Sequence, residues 1–178
     1  DDGTGLPTLP CGQIADVGGG SLPAFANILL ALLQRQATGQ GCRLDIAMTE
    51  NVLAWMPRSL APVMAGQMPP APGQGRHTGG SPRYGLYRSA DGIVFAVAPL
   101  EQKFWERFCA LIELDPALRD DTVDPQATRA GVAARLGAHS AAVWEQKFAG
   151  EDVCVERVRT AAEALADPHF AARGLFGR

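Results

Sequence analysis

The segment Ile14-Ala15-Asp16-Val17-Gly18-Gly19-Gly20-Ser21 sets a carboxylate just ahead of three glycines and a long apolar stretch. The chemistry such a constellation offers is that of a reactive carboxylate beside a place for a developing anion. Glycines allow φ > 0 and let a large ligand approach the main chain. A helix start behind them supplies unpaired N–H groups and a positive dipole end. The spacing therefore predicts a triple-glycine turn leading into a helix. The same residues also fit a plain helix entry in which Asp16 is a solvated or capping side chain, and the local segment does not choose between the two.

A chain of 178 residues with a formal net charge of −3 has no basic footprint for nucleic acid or an anionic membrane. A polyanionic cofactor would have to be met by local basic residues. Cys11, Cys42, Cys109 and Cys154 are far apart and lack metal-ligand spacing. They predict neither zinc nor a disulfide framework but reduced, mostly buried thiols in a cytoplasmic protein. The apolar run around Leu22 to Leu33 is interrupted by Pro23 and Asn27 and reads as too short to span a bilayer. The opening Asp1 to Pro7 has a loop composition, so the chain is expected to begin inside a longer protein.

The elements that must position Asp16 follow from periodicity. Leu22, Phe25, Ile28, Leu29, Leu32 and Leu33 recur at helical spacing, and Thr38-Gly39-Gln40-Gly41 ends that helix. Cys42 to Ala47 alternates like a half-buried strand, and Thr49 to Met56 begins another helix, capped near Thr49 or Asn51 and kinked or ended by Pro57. From Pro57 to Pro82 the composition turns to Pro, Gly, Met and Gln, the best linker candidate in the chain. Tyr84 to Arg88 and Ile93 to Ala98, joined by Ser89-Ala90-Asp91-Gly92, read as a hairpin. Helices are expected over Glu101 to Leu111, Ala127 to Ala138 and Ala141 to Phe148, starting at Asp124-Pro125 and Ser140 in the last two cases. A strand at Val153 to Val158 and a helix at Thr160 to Ala166 complete the series.

Several of these segments together resemble the class III CoA-transferase family, which includes formyl-CoA transferase and alpha-methylacyl-CoA racemase. The matching runs are Ala15 to Gly20, Ala31 to Gly41, Leu44 to Met48, Thr78 to Tyr84, Ala90-Asp91-Gly92, Ala98 to Trp105 and Ala166 to Phe176. The resemblance implies an α/β protein about twice this length, with a Rossmann-like CoA-binding large domain and a smaller α+β domain built from a hairpin or sheet and helices. Residues 1–65 would end the large domain, 66–83 would be the Pro/Gly-rich linker, 84–166 the small domain and 167–178 a return segment. Two subunits would interlock. The chain would lack most of the CoA-binding surface and the Gly-His-Asp-type histidine motif of racemase-like members.

By the same resemblance Asp16 matches the catalytic aspartate and Glu101 a glutamate near the active site of racemase-like members. In the transferase branch Asp16 attacks an acyl-CoA thioester and passes through a mixed anhydride to an aspartyl-CoA thioester. In the racemase branch it forms an acid/base pair with a histidine across the acyl α-carbon, and Glu101 polarises that histidine. Gly18, Gly19 and Gly20 would line the cofactor end, Gly79 and Gly80 would form a mobile lid, and Tyr84 would join them. The Gly18-Gly19-Gly20-Ser21 run, Glu101 and Tyr84 favour the racemase-like subgroup, while the absent histidine leaves the reaction open. A third reading is a silent fragment serving as an interaction or dimerisation module. Expected substrates are CoA thioesters and carboxylic acids, with no covalently bound cofactor, metal, nucleic acid or membrane.

The remaining candidates have structural readings of their own. His77 is a solvated loop residue, and His139 and His169 are surface or helix-end residues without a nucleophile or metal partner nearby. Phe104, Trp105 and Phe108 are core at helical spacing, and Asp45 is structural. Arg83 and Arg88 are weak candidates for gripping a CoA or substrate carboxylate. Cys11 has no feature that lowers its thiol pKa.

Overall fold

In the computed structural model, Pro10 and residues 12–175 are described. The loop expected at Asp1 to Pro7, Cys11, and Phe176 at the end of the closing motif lie outside them. The chain divides into two compact units, Asp1–Pro72 and Gly73–Arg178.

The first unit is helical. Ile14–Ser21 is a π-helical segment that runs without a break into α1 (Leu22–Thr38), with Pro23 in the first turn of α1 where its missing N–H costs nothing. The bond from Leu22 N–H to the Val17 carbonyl, five residues back, is the π-helical one. α1 ends at Gly39, whose φ of 75° is the left-handed stop its sequence implied. Then come α2 (Met48–Leu53) and α3 (Pro57–Met64).

Three expectations change here. The helical run from Ile14 to Thr38 is 25 residues long with a hydropathy of 1.4, long and apolar enough by length and composition to cross a membrane, so Pro23 and Asn27 do not shorten it. Cys42 to Ala47 forms no strand, because the unit offers no other strand to pair with among the described residues. Part of the supposed linker is α3, with Pro57 at its start rather than at the end of the helix before.

The second unit is a small α+β domain. β1 (Gly85–Arg88), β2 (Val94–Val97) and β3 (Val155–Arg157) form an antiparallel sheet in that order, with Tyr87 opposite Phe95 and Phe95 opposite Arg157. Against it pack α4 (Gln102–Leu111), α5 (Pro125–Leu136) and α6 (Ala141–Phe148). Phe95, Val97, Trp105, Phe108, Val132, Leu136 and Trp144 are fully buried, and Trp144 stacks on Phe148 with ring centres 5.6 Å apart. Burying each such side chain contributes about 1.5–3 kcal/mol. α7 (Ala161–Leu165), started by a Thr160/Glu163 capping box, and α8 (Pro168–Ala172) close the described chain.

The Asp-Gly hairpin does more than turn. Asp91 accepts from the Ser89 hydroxyl at 2.5 Å and from the Ala141 N–H at 3.0 Å, so the loop carboxylate caps α6. Ser140, expected to cap that helix, makes no such bond. Asp124 caps α5 through the Gln126 and Ala127 N–H groups.

Candidate functional site

Asp16 is exposed and lies in the first turn of the helical run. Its carboxylate joins no hydrogen bond or ion pair among the described residues; only its backbone carbonyl is used, accepting from the Ser21 hydroxyl at 2.9 Å. The expectation of a triple-glycine turn ahead of the helix is corrected. Gly18, Gly19 and Gly20 are inside the π-helical segment, and none has a positive φ.

Their purpose is close packing. A Cβ on Gly18 would collide with the Trp55 ring, and one on Gly19 would stand 2.7 Å from Val52 Cγ2 and 2.8 Å from the Met48 carbonyl oxygen. On Gly20 it would come within 3.3 Å of Met48 Cγ. Asn51, expected near a helix cap, instead donates its side-chain amide to the Gly19 carbonyl at 2.8 Å. α2 is thus seated on the glycines, and the Asp16 turn is held from behind. A π-helical turn displaces the side chains around it, a geometry frequent at functional sites.

Gly79, Gly80, Tyr84 and Glu101 belong to the second unit. Gly79 has a φ of 103°, which a side chain would strain, and its carbonyl accepts from Arg129 Nη2. A Cβ on Gly80 would overlap the Gln74 backbone, and its N–H donates to the Gly75 carbonyl at 3.0 Å. This glycine loop is a hydrogen-bonded turn pinned by an arginine. Tyr84 is half-buried with its ring edge to His77, centres 5.6 Å apart. Thr78, Gly79, Tyr84 and Leu86 line a groove of 410 Å³ whose floor includes Ala96 and Ala98.

Glu101 is the residue before α4. Its backbone carbonyl receives the Trp105 N–H at 3.0 Å, while its exposed carboxylate forms no cap bond. Like that of Asp16, its carboxylate makes no hydrogen bond or ion pair among the described residues, though its charge helps to raise the pKa of the Cys154 thiol.

Arg83, expected as a grip for a ligand anion, is occupied. It donates from Nε to Asp121 Oδ1 at 2.9 Å and from Nη1 to Gln102 Oε1 at 2.8 Å, and its guanidinium lies 4.9 Å from the Trp105 ring centre. Arg88 is exposed and donates to the Gly92 carbonyl. His139 packs edge-on to Trp144, and His169 is exposed on α8.

The thiols also differ from expectation. Of the described cysteines only Cys109 is buried, and burial pushes its pKa up to about 12; Cys42 and Cys154 are exposed. No group of His, Cys, Asp and Glu able to hold a metal exists among the described residues.

A second apolar cleft, 480 Å³ between α2 and α3, is lined by Leu53, Pro57, Leu60 and Met64. It lies where sequence composition suggested a linker. The signal was present in Pro57 as a first-turn proline and in Leu60 and Met64 four apart.

Residues 2–178 match the family model described as CoA-transferase family III. Human alpha-methylacyl-CoA racemase is 33% identical over 177 residues, covering 96% of this chain and 45% of the racemase. The Mus musculus racemase is 32% identical over 180 residues, with the same coverage of each chain. A Caenorhabditis elegans CaiB/baiF CoA-transferase family protein, ZK892.4, is 29% identical over 153 residues, 85% of this chain and 44% of that protein. The chain thus spans less than half the length of these relatives. In the orthorhombic crystal structure of Rv3272 from M. tuberculosis the same fold recurs, with a TM-score of 0.74 and 21% identity over 97% of this chain and 48% of that one.

Proposed function

The chain belongs to CoA-transferase family III, and we propose that the protein carrying it exchanges the α-proton of an acyl-CoA thioester with Asp16 as one of two acid/base groups. The observation that carries this reading is the Asp16 carboxylate, exposed and unpaired among the described residues, on a π-helical turn that α2 holds from behind. The two racemases, matched over 96% of the chain, support proton exchange as the reaction.

In this reading the Asp16 carboxylate takes the α-proton and the C–H electron pair passes to the thioester oxygen as an enolate. A protonated partner on the other face of the carbon returns a proton, inverting it. That partner is a histidine outside the 178 residues, and Glu101 of the small domain orients it. Each such proton transfer contributes on the order of 10²–10⁴-fold. The groove beside Gly79 and Tyr84 receives part of the thioester, with CoA held mainly by residues beyond this chain. The full protein is an interlocked homodimer.

A second reading, favoured by the family model and the C. elegans relative, is CoA transfer between carboxylic acids. Here Asp16 attacks the thioester carbonyl, the C–S bond breaks, and CoA thiolate leaves a mixed anhydride. The thiolate then attacks the aspartyl carbonyl and releases the first acid. The second acid displaces the thiolate to form a new anhydride, and the thiolate attacks that acid's carbonyl, freeing the Asp16 carboxylate. One assay separates the readings. Incubation with a 2-methylacyl-CoA in deuterated water should place deuterium at the α-carbon without any acceptor acid. CoA transfer to an added acid without α-exchange would instead establish the second. The isolated 178 residues should be inactive and bind no CoA ester; micromolar binding would overturn that view.

A further inference from the structure

Among the described residues Glu101 has no side-chain hydrogen bond or ion pair to hold it, so the start of α4 decides where its carboxylate is presented. That start is fixed by Gln102, whose amide is oriented at both ends. Its oxygen accepts from Arg83 Nη1 at 2.8 Å, and its nitrogen donates to Glu106 Oε1 at 3.0 Å, one turn further on.

Arg83 in turn is anchored on two more sides. Its Nη2 lies 2.7 Å from Asp121 Oδ1 in a pair whose side chains are 13% and 14% exposed. Its flat face covers Trp105, itself fully buried with its indole N–H on the Arg119 carbonyl at 2.7 Å. The backbone N–H of Arg83 donates to the Ser81 hydroxyl, and Tyr84 is the next residue. One guanidinium therefore joins the loop bearing Tyr84 to the helix start bearing Glu101. Only arginine can do so, since the joint uses two edges and one face of a planar cation.

We propose that Arg83 is a positioning residue that sets Glu101 relative to Tyr84 for the reaction, through Gln102 and with Asp121 and Trp105 as its anchors. The inference rests on the reading of Glu101 given above. It assigns Arg83 no contact with substrate.

The test is a double-mutant cycle in the protein that carries this chain, using α-deuterium exchange on a 2-methylacyl-CoA. Arg83→Lys should lower kcat by about tenfold or more with little change in KM, the size expected for a misplaced group. Glu101→Gln should lower kcat as well, and adding Arg83→Lys to it should cause no further loss. The Trp105 backbone amide, bonded to the Glu101 carbonyl at the start of α4, should exchange faster with solvent in Arg83→Lys. Should that variant fail to fold, Gln102→Leu, at an exposed position, leaves the Arg83–Asp121 pair intact and should reproduce the fall in kcat. Losses that simply multiply in the double variant, or normal kcat in Gln102→Leu, would overturn the proposal and leave Arg83 a structural ion pair. Normal kcat in Glu101→Gln alone would instead overturn the assignment of Glu101, and the positioning role with it.

Discussion

The carboxylate of Asp16 and the three glycines that follow differ in what surrounds them: the first is unpaired among the described residues, and the others are packed to the limit of contact. The motif singled out Asp16 in the sequence as a candidate. It did not reveal the role of the glycines, because a run of glycines suggests conformational freedom equally well when its real purpose is to admit Trp55, Val52 and Met48. Arg83 was misread for a related reason. A guanidinium in a loop beside a tyrosine resembles a ligand grip until its acid, amide and indole partners, 38, 19 and 22 residues away or so, are brought to it. At this scale Tyr87 gives a pH prediction. Burial pushes its phenol up to about 12 from 10.0, and its hydroxyl donates to the Pro82 carbonyl at 2.6 Å. An acid whose folded pKa is raised favours the fold in its protonated state, so that stability is fully present below pH 10 and is lost as pH rises toward 12, on the order of 2 kcal/mol. Denaturant titrations at stepped pH should show this decline in the native protein and a shallower one in Tyr87→Phe.

Among the elements, the hairpin and the three main helices of the second unit were legible because their signals are local: Asp91-Gly92 for the turn, Asp124-Pro125 for a helix start, helical spacing of Trp105 and Phe108 for a core. Cys42 to Ala47 failed as a strand because a strand is a pairing, and no pairing partner exists among the described residues of its unit. α3 was hidden by its prolines, whose effect depends on position in the helix rather than on composition. The union of α2 with the π-helical turn gives a second prediction. Gly19→Ala would press a methyl against Val52 and the Met48 carbonyl and should destabilise the protein by about 1–3 kcal/mol, read as a lowered Tm. Because that contact backs Asp16, turnover should fall more than stability alone explains. Gly79→Ala, at a φ of 103°, should cost about 1–2 kcal/mol by the same measurement.

At the scale of the whole molecule the two units differ in what they bury. The second has a closed core of fully buried aromatic and aliphatic side chains, whereas α1 buries none and leaves Phe25, Leu30 and Leu33 more than 60% exposed. An apolar helix left this open has no buried core of its own to hold it in place. Residues 73–178 expressed alone should therefore unfold cooperatively with a near-ultraviolet signal from Trp105 and Trp144, and residues 1–72 alone should not. In the protein that carries the chain, the amides of α1 should be protected from exchange; protection appearing only with added lipid vesicles would point instead to a membrane as the cover. The most direct measurement is the rate of α-deuterium incorporation into a 2-methylacyl-CoA by that protein and its Asp16→Asn variant. With Asp16 as an acid/base group, Asp16→Asn should lose about 10²–10⁴-fold with the fold intact, and exchange at the native rate in that variant would contradict the role proposed for Asp16.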